Sequence, residues 1–208
     1  LLFQLKTGMY YRYVFIIIIL LFGAPLQSQI RPSGFGFTSA PSSTPEPKLD
    51  LNASDASTYS GSGTTWSSIG NASFNTTLEG GVTFVENGDF DYMSFDGSND
   101  YVDLGDSDDF SFTDGAGNDQ PFSLSCWVNM DTNNKFRVLH KSASVSGVYI
   151  NELFFGTIGS GEFCFLISGN SNWYGINTPT AIAQNEWVHI SATYDGSGGA
   201  SFRDGMHI

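Results

Sequence analysis

The chain has 208 residues, 40% hydrophobic and 15% aromatic, with 24 glycines, 18 phenylalanines and only 14% charged residues. That supports one sizeable core and suits a turn-rich all-β domain; long amphipathic helices would draw on more Ala, Leu, Lys and Glu. The 21 acids against 8 bases give a formal net charge of −13, which repels phosphate backbones and argues against nucleic-acid binding while leaving cations, basic partners and neutral glycans open.

The first element begins at Met9, in "MYYRYVFIIIILLFGAPLQSQ". Arg12 stands early, residues 14–22 are an unbroken apolar run, and Gly23, Ala24 and Pro25 follow. A transmembrane helix needs roughly 20 apolar residues, and this run is about half that. Its length fits the apolar region of a signal peptide. The expectation is therefore a signal peptide over residues 1–28, cut near residue 28, and a secreted or cell-surface chain with no membrane span after cleavage. A retained N-terminal anchor is the alternative. Residues 29–47, "QIRPSGFGFTSAPSSTPEP", are rich in Ser, Pro and Gly without a sustained period and read as a linker. A folded domain is expected over residues 48–208.

Within it, period-2 alternation and turn signals dominate. "YMSFDG" and "DYVDLG" bracket residues 97–99, which predicts two short strands joined as a hairpin. "FSLSCWVNM" alternates strictly: Phe122, Leu124, Cys126, Val128 and Met130 oppose Ser123, Ser125, Trp127 and Asn129. "KFRVLHKS", "GVYINELFFGTI" and "GEFCFLIS" follow as strands, whereas "SGNSNWYGINTP" reads as a polar loop. In "WVHISATY", Val188, Ile190, Ala192 and Tyr194 oppose Trp187, His189, Ser191 and Thr193. Trp127 and Trp187, lying inside strands, are expected to be packing residues. Short strands separated by Gly, Asn, Asp and Ser turns predict an all-β, two-sheet antiparallel sandwich. The last residues, "SATYDGSGGASFRDGMHI", stop within what reads as a hairpin, so the sandwich is expected to be incomplete at its C-terminus.

Taken in order, "LDLNASDASTYSGSGTTWSSIG", "SFDGSNDYVDLGD", "PFSLSCWVNMD", "NEWVHISATYDGSG" and "FRDG" resemble the laminin-G-like branch of the concanavalin A-like lectin/glucanase superfamily. The resemblance spans about residues 49–208. It implies a concanavalin A-like jelly roll, common in secreted, cell-surface and viral structural proteins, and it raises the expectation of a calcium ion at the sandwich rim.

The residues themselves offer three kinds of chemistry. Glucanases of this superfamily carry paired acids on one strand, spaced to bring two carboxylates about 5 Å apart. Here Glu46, Glu79, Glu86, Glu152, Glu162 and Glu186 are scattered singly, so the expectation is no catalytic residue, with a polysaccharide hydrolase fragment as an alternative. His140, His189 and His207 accompany no Gly-x-Ser-x-Gly elbow and read as structural. Asp96, Asn99, Asp100 and Asp103, with Asp106, Asp108 and Asp109 beyond, supply enough oxygens for Ca2+ but lack EF-hand spacing. The first reading of that stretch is a structural hairpin, the second a metal loop. For glycan or surface-protein recognition the candidates are Trp173, Tyr174, Asn172 and Trp66, aromatic faces beside amides that can meet sugar hydroxyls. A structural surface or virion decoration module is the further alternative. Cys126 and Cys164 are compatible with one disulfide or with two free thiols. Asn52, Asn71 and Asn75 head N-x-Ser/Thr sequons.

Overall fold

The computed structural model describes residues 2–6, 13–19, 47–70, 75–105, 107, 110, 119–145, 148–169, 172–196 and 205–207. These form fifteen strands. In chain order they are β1 (Leu2–Lys6), β2 (Tyr13–Ile19), β3 (Leu49–Leu51), β4 (Thr65–Ser67) and β5 (Asn75–Glu79). Next come β6 (Thr83–Val85), β7 (Tyr92–Ser94), β8 (Tyr101–Gly105), β9 (Phe122–Asn129) and β10 (Arg137–Val145). The last five are β11 (Val148–Thr157), β12 (Glu162–Gly169), β13 (Asn172–Ala181), β14 (Trp187–Tyr194) and β15 (Gly205–His207). Among the described residues all neighbouring strands pair antiparallel, as alternation and short connections demand.

Two sheets result. The eight-stranded sheet runs β13-β12-β11-β10-β1-β8-β5-β4, and the seven-stranded sheet runs β15-β14-β9-β2-β7-β6, with β3 paired to β2. Their inner faces share one core. Phe155, Phe163 and Phe165 come from the first sheet, and Phe122, Leu124, Val128, Met93 and Ile190 from the second. Phe122 meets Phe165 across the sandwich, edge to face at 5.7 Å. Each such fully buried side chain contributes about 1.5–3 kcal/mol of burial free energy, so the layer of phenylalanines accounts for much of the adhesion between sheets. This is the all-β antiparallel sandwich that the alternation predicts. No helix among the described residues is long and apolar enough to cross a membrane.

Two features depart from the sequence reading. β7 and β8 are not a hairpin: β7 lies in the seven-stranded sheet and β8 in the eight-stranded one. Residues 95–100 are therefore a corner between the sheets. The second concerns the N-terminal run, whose backbone over residues 13–19 forms strand β2, seated between β9 and β7. β1 likewise sits between β10 and β8. The expected cleavage point near residue 28 and most of the 29–47 linker lie outside the described residues.

A cation is among the groups held in the interior. Lys141, on β10, is fully buried; its Nζ lies 2.8 Å from Glu152 Oε2 and donates to the Phe110 carbonyl at 3.0 Å. The β10–β11 register shifts between Lys141 and Ser142, which places Glu152 out of the regular pairing on the opposite strand.

Candidate binding surfaces

The acidic corner uses its side chains internally. Asp96 Oδ1 accepts the amides of Ser98 (2.7 Å) and Asn99 (3.4 Å), closing the turn on itself. Asp100 Oδ2 accepts the Asp96 amide at 2.8 Å, and Asn99 Nδ2 donates to the Gly80 carbonyl at 3.1 Å. Asp103 Oδ1 turns along its own strand to the Gly105 amide at 2.8 Å. Asp100 is 2% exposed while Asp96 is exposed and Asp103 half-buried. Burial raises the Asp100 carboxyl above its ordinary pKa, Asp96 adds repulsion, and the Asp96 amide pulls the other way. As arranged, the four residues serve the corner and do not converge on a common point. Among the described residues no three His, Cys, Asp or Glu side chains gather as a metal site. Asp106, Asp108 and Asp109 lie outside the described residues.

The aromatic candidates are dispersed. Trp66, on β4, is 1% exposed, with its indole N–H donating to Thr58 Oγ1 at 3.3 Å. It is a core residue, which corrects its assignment as a ligand contact: the opening loop folds over it. Trp173 is on β13, at the other edge of the same sheet. Seven strand spacings separate the two edges, roughly 30 Å or more, so the two tryptophans cannot share a site.

The segment around Trp173 is a strand, not a loop. Trp173 pairs with Ser168 and Tyr174 with Ile167 on β12. Adjacent residues of a strand point to opposite faces, so Trp173 and Tyr174 part company. Trp173 is 43% exposed and shares the outer face with Gly175 and Asn177, both exposed. Tyr174 lies on the other face with Ile176, which packs against the core. A Cβ on Gly175 would sit 2.0 Å from the Phe165 carbonyl oxygen and 2.8 Å from Leu166 Cδ2, so β12 approaches this position too closely for any residue but glycine. Asn172 is placed on β13 by its backbone pairing with Gly169.

A third surface went unread in the sequence. β9 and β14 pair in register, Trp127 opposite His189 and Asn129 opposite Trp187. Their inner residues are buried, so the alternate ones form the outer face of the seven-stranded sheet. Trp127 is 42% exposed there, its ring centroid 5.1 Å from that of His189. Ser125 Oγ is hydrogen-bonded to His189 Nε2 at 2.8 Å, which holds the imidazole beside the indole. Trp187 meets Phe90 at 5.6 Å and Tyr92 at 5.7 Å, both edge to face. The result is a band of aromatic rings along the sheet with Ser125, Asn129, Ser191 and Thr193 as polar neighbours. Trp127 therefore faces solvent and is not a packing residue. The alternation of "FSLSCWVNM" already assigns it to the face opposite Phe122; that was the signal available.

The remaining candidates for chemistry are committed elsewhere. Glu152 pairs with Lys141, and Glu162 accepts from Ser160 Oγ at 2.9 Å. Cys126 and Cys164 are free thiols, both buried, so the disulfide alternative falls away. Burial pushes the Cys126 thiol far up and the Cys164 thiol to about 11, the latter helped by the Glu162 carboxylate; neither is a ready nucleophile.

Comparison with known proteins gives one match: a laminin G family model of the Concanavalin A-like lectin/glucanases superfamily aligns with residues 96–208. No curated protein and no solved structure matches. The aligned stretch runs from the corner to β15 and contributes strands to both sheets, although it is shorter than the span over which the motifs carry the resemblance. Laminin G-like domains are typically non-catalytic and suggest carbohydrate or protein binding. With more than half of the chain aligned and a two-sheet antiparallel sandwich in place, the chain belongs to the laminin-G-like family of the concanavalin A-like lectin/glucanase superfamily.

Proposed function

We propose that this protein is a secreted, non-catalytic recognition module that binds a neutral glycan through the outer face of its seven-stranded sheet. The observation that carries the reading is Trp127, 42% exposed in mid-strand and braced by His189, which Ser125 holds in turn. A large ring kept half in water forgoes burial that a core position would supply. An indole face of fixed orientation can stack on a sugar ring, while Asn129, Ser191 and Thr193 offer hydrogen bonds to hydroxyls. The net charge of −13 favours a neutral or cationic ligand over an acidic one. Export through the apolar run belongs to the same reading and is supported by the length of that run. Calcium assistance rests on the acidic composition and on the oxygens of Asp96, Asn99, Asp100 and Asp103; Asp96 Oδ1, Asp100 Oδ2 and Asp103 Oδ1 would have to give up or share the backbone amides they now accept.

A second reading places the ligand at β13, where Trp173 is 43% exposed and shares its face with the exposed Asn177. Screening the full chain on a glycan array, with and without calcium, beside Trp127→Ala and Trp173→Ala, separates the two. Binding abolished by the first substitution alone supports the outer face. Binding abolished only by the second moves the site to β13. Binding to no glycan in either condition sinks the carbohydrate reading and leaves a surface protein as the ligand class to test.

A further inference from the structure

Four strands end the two sheets. β4 and β13 bound the eight-stranded sheet, and β6 and β15 bound the seven-stranded one. β4, β6 and β15 have three residues each, too few to hold a second chain by their backbones. β13 has ten, and among the described residues only β12 pairs with it. Its free side therefore presents a row of backbone amides and carbonyls to solvent.

Charge commonly guards such an edge. Here it does not: from Phe163 to Asn185 the sequence carries no charged residue, in a chain of net charge −13. Two copies repel each other least where neither is charged, so this is the edge at which a second copy can approach. Trp173 is 43% exposed, and Tyr174 and Ile176, on the face toward the core, are only half-buried. All three keep apolar surface in water that a strand on the free side would cover.

The regular part of β13 is also self-complementary. It pairs with β12 in unbroken register from Asn172 to Asn177. Beyond that the ladder is irregular: the Phe163 amide donates to Thr178 Oγ1 at 3.0 Å, and Pro179 has no amide to donate. An antiparallel pairing of β13 with itself, centred on Gly175, uses only the regular part. It sets Trp173 opposite Asn177 of the second copy on the outer face. On the inner face it sets Tyr174 opposite Ile176 of the second copy, an aromatic against a β-branched residue. Symmetry repeats both pairs. Glycine meets glycine at the axis, where β12 comes too close for a side chain. The two tryptophans, each one diagonal step away, can lie over the bare backbone left there.

We propose that β13 is a dimerisation edge, at which a second copy of this chain adds its own β13 antiparallel about Gly175. The product is a closed, two-fold symmetric pair with one sheet continuous through both copies. It stops at two, because pairing consumes β13 and the other edges are short. Opposed residues of an antiparallel pair share a face, so the axis stands perpendicular to the sheet and both seven-stranded sheets lie on the same side of it. The dimer does not rest on the glycan reading. Under that reading it turns two Trp127 faces toward one surface and makes attachment bivalent.

Trp173→Cys and Asn177→Cys, each made singly in the full chain, test the register. Opposed positions are within reach of a disulfide, whereas the same position in the two copies is offset by roughly 13 Å along the strands. Both native cysteines are buried and do not compete. Oxidising a mixture of the two variants should give a covalent dimer on a non-reducing gel, and each variant alone about tenfold less. Equal linking alone and mixed, or none in the mixture of folded variants, overturns the proposal. Light scattering on the unmodified chain over about a hundredfold range of concentration should show a dimer that dissociates on dilution. Trp173→Ala should raise its dissociation constant by about tenfold or more. A monomer throughout, growth beyond a dimer, or an unchanged constant in Trp173→Ala also overturns it.

Discussion

The corner at residues 95–100 and the outer face of β9 and β14 both look, in sequence, like places where a ligand is held. They are built in opposite senses. At the corner, Asp96, Asn99 and Asp100 spend their oxygens and amides on the chain's own backbone, and one carboxyl is buried in the process. On the outer face, the side chains hold one another in place but leave a tryptophan half in water. An abundance of donor atoms is therefore a poor guide to a site; the better question is which groups the fold has left unspent.

The largest expected effect is at the corner. Gly80 has φ +84°, and a Cβ there would lie 2.2 Å from the Asn99 carbonyl oxygen. Gly80→Val forces both the conformation and the contact, and should cost about 3 kcal/mol or more in denaturant unfolding. An unchanged midpoint would mean that the corner is not the rigid joint described. Next, Trp127→Ala should lower affinity for a bound ligand by about tenfold or more while changing stability by less than about 1 kcal/mol, measured by calorimetry and melting. Equal losses of stability and binding would make the outer face as structural as the corner.

A smaller effect sharpens the contrast through pH. Asp100 has a folded pKa above its unfolded value because burial disfavours its charge. The folded state thus holds this proton more tightly. Its contribution is fully present below about pH 3.8 and is lost as pH rises through the raised folded value. Asp100→Asn, which keeps an acceptor for the Asp96 amide, should therefore gain on the parent as pH climbs from 4 to 7, followed by melting temperature. A constant difference between the two curves would remove the burial argument. In the parent, calcium that raises the melting temperature at pH 7, and fails to do so in Asp100→Asn, would recast the corner as a metal site. The smallest effect concerns the thiols. With Cys126 buried and Cys164 pushed to about 11, native protein at pH 8 should react negligibly with a thiol reagent until denatured.

How much of this was legible follows the range of the forces involved. The faces of β9 and β14 can be read residue by residue, because a strand buries every second side chain and Phe122, Leu124, Cys126 and Val128 announce it. Trp127 was legible by the same rule and was misassigned because a tryptophan within a strand suggests packing. The strand at Trp173 was not legible: "SGNSNWYGINTP" is dense in turn formers, and pairing with β12 outweighs that local preference. Nor could the corner be distinguished from a hairpin. Two alternating runs about a Gly-Ser-Asn turn look the same whether the strands share a sheet or face each other across a core. Sheet membership is decided by partners far off in sequence. Around residue 96 the sequence points first to a turn and second to a metal loop; that Asp96 and Asp100 cap the turn depends on backbone amides that every sequence has.

The buried Lys141 bears on errors of alignment. An ion pair withdrawn from water contributes little net stability, because desolvation offsets attraction. Its weight lies in the states it forbids. β10 and β11 make a long hairpin, and a slip by one residue would turn Glu152 away and carry every side chain of the slipped strand to the wrong face. Lys141 would then keep its charge indoors with its carboxylate gone. The pair works as a key cut for one alignment: a misthreaded hairpin would bury a charge with nothing to answer it.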